Sequence, residues 1–221
     1  MDYLKSEHLK FKRTISNKLI FIVPLITAIF AWIMGGYIGY QYMTLYWWYA
    51  FLLPGAIAIL CSLSHRKEEN AGKYYSVFSM PVNLSRFEFA KGIILVEKLL
   101  VSAIFLALLI SISNIIAPAT AVYSLLHSIT GSIGIILASV WQIPLCLYLA
   151  RKTGMFVPIV LNTILGIVLS TATALGNTIA WWFVPYCWAV KLAEPLMGIE
   201  MNGTYVGNCG FSIAIMISIL L

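Results

Sequence analysis

The chain has 221 residues, 61% of them hydrophobic and only 10% charged, with a formal net charge of +6. A soluble domain carries about a quarter charged residues, so this composition excludes an ordinary water-soluble fold. The apolar runs are continuous and about twenty residues long, which excludes a barrel of alternating short strands and predicts helices that cross about 30 Å of hydrocarbon. The expected fold class is an all-α polytopic membrane protein.

Residues 1–18 come before the first apolar run. Leu4, His8, Phe11 and Ile15 share a face at helical spacing, with Lys5, Lys12 and Arg13 elsewhere. That pattern predicts an interfacial helix on the inner leaflet; a disordered basic tail is the alternative reading. The first apolar run reads as a retained span, since it lacks the short apolar core and small-residue cleavage site of a signal peptide.

Six spans follow, near Leu19–Tyr40, Tyr46–Ser64, Leu99–Ala117, Leu125–Ala150, Met155–Gly176 and Asn208–Leu221. The last reaches only about 21 Å at 1.5 Å per residue, so either the chain ends inside its last helix or a tail is missing. Pro24, Pro54, Pro144 and Pro158 sit inside spans and can kink them. Gly35-x-x-x-Gly39, and Thr130-x-x-x-Gly134 with Gly131, allow close helix approach, within the chain or between chains.

Basic residues set the orientation. Lys and Arg number five in residues 1–18, five in 65–91 and two at Arg151–Lys152, against a single Lys191 in the opposite loops. The positive-inside rule places the N-terminus and the 65–91 loop in the cytoplasm. Lys98, beside Glu97 at the start of the third span, can snorkel to the same face. Tyr37, Tyr40, Tyr42, Tyr46, Trp47 and Trp48 would form an interfacial belt around the first outer turn.

Catalytic signatures are lacking. The sequence contains no GxxxxGK[ST], HExxH or GxSxG, its three histidines are scattered, and its single aspartate is Asp2. Neither a self-contained nucleotide site nor a metal cluster is expected. Span serines such as Ser102 and Ser132 read as helix–helix hydrogen-bond partners. With almost no ionisable group in mid-span, ion-coupled transport is poorly supported. Cys61 and Cys146 read as apolar fillers. Cys187 and Cys209 fall on the outer side, where a disulfide is permitted but not required. Asn202-Gly203-Thr204 matches a glycosylation sequon, which has meaning only in a eukaryotic secretory setting.

The segment from His65 to Gly92 is the one long charged stretch beyond the N-terminus, and it mixes both signs of charge with Tyr74, Tyr75 and Phe78. Mixed charge gives register and buried aromatics give interface energy, so it reads as a docking surface. Its order of Glu68-Glu69, Gly72, an aromatic helix ending at Pro81, Asn83-Leu84-Ser85-Arg86 and Lys91-Gly92 resembles the cytoplasmic coupling segment of type-2 ABC exporter permeases. Lys73 stands where that family often has threonine. The outer stretch from Trp181 to Trp188 holds Trp182 and Tyr186 around Pro185. With Gly198-Ile199-Glu200-Met201-Asn202-Gly203 it resembles lantibiotic-immunity permeases, the E and G subunits of the MutE/EpiE group.

The resemblance implies a single permease domain over 1–221, with residues 1–18 as interfacial helix, 65–92 as coupling loop and 177–207 as an outer re-entrant segment. It implies a bacterial cell-membrane location and docking onto two copies of a separate ATPase that binds ATP and magnesium, this chain holding no cofactor or metal. It also implies pairing with a second homologous permease and expulsion of a lantibiotic peptide, with no nucleic acid involved. Glu68, Glu69, Gly72, Tyr74, Tyr75, Phe78, Pro81, Arg86 and Lys91 would carry the coupling. Trp181, Trp182, Tyr186, Trp188, Glu194, Glu200 and Asn202 would form a lid or a substrate contact. Export of another amphipathic substrate, or a non-transporting immunity scaffold, are the competing readings.

Overall fold

A computed structural model describes residues 7, 8, 11, 14–70, 84–118, 123–175 and 183–197. Regular structure among the described residues is entirely helical: α1 (Ile15–Trp47), a π-helix (Trp48–Leu52), α2 (Leu53–Asn70), α3 (Leu84–Ile116), α4 (Leu125–Ser139), α5 (Gln142–Thr153), α6 (Phe156–Leu175) and α7 (Tyr186–Met197). Two stretches, Ile15–Asn70 and Ser85–Ile116, are long and apolar enough to cross a membrane. The pair α4 and α5, bent by 46°, makes a third if counted as one span.

The first reversal falls earlier than the sequence suggests. Gly36 adopts φ 55° and ψ −157° inside α1, a conformation in which glycine alone is unstrained. The rings of Phe30 and Trp47 then meet with centroids 4.8 Å apart, where an unbroken helix would hold them about 25 Å apart. The chain therefore doubles back at Gly36, not within the aromatic cluster at residues 40–46. A Cβ on Gly35 would lie 2.8 Å from the Met43 Cγ. The Gly35–Gly39 pattern thus serves this tight hairpin.

Proline explains two further irregularities. Pro144 has no N–H for the carbonyl of Val140 and its ring crowds that carbonyl. The helix breaks there: the N–H of Ile143 takes the Val140 carbonyl instead, at 3.0 Å. Pro54 likewise cannot serve the carbonyl of Ala50, and the chain widens into the π-helix over Trp48–Leu52. Pro158 lies in the first turn of α6, where a missing N–H costs nothing.

Side-chain bonds fix how the helices run. Ser102 Oγ donates to the Ile20 carbonyl at 2.8 Å and Tyr40 OH to the Leu109 carbonyl at 3.2 Å, so α3 meets α1 both before and after its reversal. Lys67 Nζ donates to Thr14 Oγ1 at 3.0 Å and Ser62 Oγ to the Met155 carbonyl at 3.3 Å. Residues 14, 62–70, 84–91 and 151–155 thus gather at one end of the bundle. At the opposite end Gln41 Nε2 donates to Ser113 Oγ and Asn114 Oδ1 at 2.8 and 2.6 Å. Lipid is as apolar as the helix faces, so such bonds and close packing, not water exclusion, hold helices together inside a membrane.

The third helix also starts earlier than expected, at Leu84 and not near Leu99. Asn83-Leu84-Ser85-Arg86 therefore leads straight into helix. Glu97 and Lys98 lie within α3, not at its start, and are 3.4 Å apart with His8 Nδ1 3.7 Å from Glu97. Phe11 and Ile15, expected on one face, differ in burial: Phe11 is 2% exposed and Ile15 69%. The Phe11 ring lies under Lys67, 4.7 Å from Nζ, which ties this residue to the end of α2.

Candidate functional site

Charged residues that the sequence scatters over three segments converge at one end of the bundle. Lys91, only 1% exposed, lies on the buried side of α3 one turn beyond Phe87 and Glu88. Its Nζ donates to Glu68 Oε2 at 2.7 Å, approaches Glu88 Oε1 at 3.8 Å and sits 5.0 Å over the Phe87 ring. Glu68, 7% exposed, closes α2. On the far side Glu88 is paired to Arg151 from the last turn of α5. His65, one turn before Glu69, lies 3.9 Å from its carboxylate.

The chain of ions Glu68–Lys91–Glu88–Arg151 alternates in sign, so each buried charge meets an opposite one. A buried ion left alone would cost several kcal/mol, and breaking a pair about 3–5 kcal/mol. The network therefore locks the end of α2, the start of α3 and the end of α5 to one another. The ends of α2 and α3 that it joins border residues 71–83.

The position of Glu68 and Lys91 changes their reading. Both are buried against each other and offer little surface to a docking partner, whereas Glu69 and Arg86 are exposed. Gly72, Tyr74, Tyr75, Phe78 and Pro81 lie outside the described residues.

A second polar cluster lies deep in the bundle. Asn162 of α6 donates through Nδ2 to the Pro54 carbonyl at 2.7 Å and to Gln142 Oε1 at 3.0 Å. Tyr186 OH donates to Asn162 Oδ1 at 2.6 Å. The cluster joins the π-helix and Pro54, the α4–α5 break and the start of α7, three places where backbone regularity is interrupted. Gly166 lets α6 approach: a Cβ there would lie 2.9 Å from the Pro54 Cγ and 3.0 Å from the Ala50 carbonyl.

Tyr186 is thus 8% exposed and bonded inside the bundle, not displayed at the outer surface. Trp188 is half-buried with its ring 6.5 Å from that of Trp141, and a Cβ on Gly134 would lie 2.7 Å from Leu192. These contacts run α7 counter to α4 and alongside α6. Cys187 is buried. Trp181, Trp182, Glu200, Asn202 and Cys209, the side chain of Glu194 and the last expected span lie outside the described residues.

The sequence reading does not include Gln142 and Asn162. Their signal is an Asn and a Gln within apolar runs, Gln142 two residues before Pro144 and Asn162 four after Pro158. Among the described residues no group of acidic, His and Cys side chains could hold a metal ion.

The model of the ABC-2 family transporter protein matches residues 3–169. No curated protein and no solved structure matches the chain.

Proposed function

The chain belongs to the ABC-2 family of transporter proteins, and on that premise we propose that it is a permease subunit of a type-2 ABC exporter, driven through residues 71–83. A permease of this family is the membrane component, typically non-catalytic, and normally works with an ATPase subunit. The observation that carries the driven-permease reading is the clamp Glu68–Lys91–Glu88–Arg151. It joins both helices flanking the segment to α5, so ATPase motion applied there moves three helices together.

The finer reading follows the sequence. Six crossings would be made by the two legs of Ile15–Asn70 on either side of Gly36, α3, the α4–α5 pair, α6 and residues 208–221; the reversal at Gly36 supports the first two. The clustering of basic residues at one bundle end supports a cytoplasmic N-terminus. The deep start of α7 favours a re-entrant outer segment. The cargo would be a lantibiotic-type cationic peptide taken from the membrane. Two ATPase copies and a second homologous permease would complete the exporter in a bacterial cell membrane.

Charge reversal at the exposed pair, Glu69→Lys with Arg86→Glu, tests the docking step. The clamp stays intact, so the protein should insert and fold while losing ATPase co-purification and peptide protection. Full protection in that variant would defeat the docking role. A deletion strain sensitive to other amphiphiles but not to lantibiotics would favour another cargo. A purified, protective protein with no ATPase would favour the non-transporting scaffold.

A further inference from the structure

The bundle carries a groove of about 700 Å³ between α3 and the α4–α5 junction, within the size range of ligand sites. Its polarity changes along its length. Ser85, Glu88 and Arg151 line one end, at the charged end of the bundle, and the wall then becomes apolar through Phe89, Val96, Ile143 and Leu147. From Ser85 to Val96 the α3 wall runs about 17 Å at 1.5 Å per residue. The occupant this suits is an amphiphile with its head at the charged end.

The charge at that end is basic on balance. The Glu88 carboxylate already lies between Arg151 and Lys91, so it does not repel an added anion strongly. Arg151 is half-exposed, and a guanidinium offers five N–H donors in a fork suited to phosphate. Lys152 lies 5.4 Å over the ring of Tyr148, itself a groove residue, which holds a second cation at the mouth. A cationic peptide would meet both as like charges.

We propose that this groove binds an anionic phospholipid of the adjacent leaflet, its phosphate against Arg151 and Lys152 and an acyl chain along α3. Basic pockets between membrane helices recognise acidic headgroups in this way. The lipid would brace α3 against α5 beside the Glu88–Arg151 link.

The test uses the whole protein in nanodiscs of equal phosphatidylglycerol and phosphatidylcholine, extracted gently, with retained lipid read by native mass spectrometry. Phosphatidylglycerol should be retained preferentially. Arg151→Gln with Lys152→Gln should reduce that preference about fivefold per charge removed. Lys152→Gln alone, at an exposed site, keeps the test open if the double variant folds poorly. Gly92→Leu adds a side chain at the groove wall, starting from a Cβ that meets nothing within 4 Å; it should reduce retention of both lipids. Equal retention of the two lipids by the parent protein, or a preference unchanged in every variant, would overturn the proposal. So would a ready disulfide between Gly92→Cys and Phe78→Cys, which would put the segment around residue 78 in the groove.

Discussion

Replacing Lys91 by methionine removes the cation at the centre of the clamp while keeping its volume. Nζ lies 2.7 Å from Glu68 Oε2, a gross attraction of about 6 kcal/mol at an effective dielectric of about 20. Desolvation of both ions offsets most of that, so the pair itself is close to neutral in stability. The loss of one partner is different. Glu68 would remain buried without its cation, at a cost of about 3–5 kcal/mol, or about two to four decades in the folded-to-unfolded ratio. Unfolding in detergent followed by helical circular dichroism reads this directly. Lys91→Met alone should be strongly destabilised, and Lys91→Met with Glu68→Leu should regain most of the loss. A single variant within about 1 kcal/mol of the parent, or a double variant as unstable as the single, would refute the argument.

Three further outcomes follow from local geometry. Gly166→Ala should separate α6 from Pro54 and cost about 1–3 kcal/mol by overpacking, while Gly92→Ala, which meets open space, should be neutral or slightly stabilising; the same unfolding assay compares them. Tyr186→Phe leaves Asn162 Oδ1 without its phenolic donor and should cost about 1–3 kcal/mol; a variant equal to the parent would remove Tyr186 from the core. Gly36→Val should cost at least about 1–2 kcal/mol through its positive φ, read as a lower melting temperature in detergent.

The sequence carried the helical class of this fold. Long apolar runs read as helices, and the basic residues at 14–18, 66–67, 86–91 and 151–152 do collect at one end. The failures have physical reasons. Gly35-x-x-x-Gly39 in an apolar run looks like a packing motif, and only the positive φ of Gly36 between them makes it the hairpin. Glu68 and Lys91 are 23 residues apart, so no periodicity announces that they pair; each alone reads as a solvated loop charge. Tyr186 follows a proline in an aromatic stretch and suits a headgroup layer equally well, until the amide of Asn162 places it inside. The kink from Pro144 was legible, because its cause lies within one helical turn.

The central claim is that residues 71–83 receive force from an ATPase and pass it to the helices. Its most direct measurement is clearance of the proposed peptide cargo from proteoliposomes holding this chain with the proposed second permease and ATPase, with and without ATP. Clearance should require ATP, and Tyr75→Ala with Phe78→Ala should abolish it while the chain stays inserted and folded, since buried aromatic anchors cost at least about 2 kcal/mol each when truncated. Undiminished clearance by the double variant, or clearance without ATP, would contradict the account.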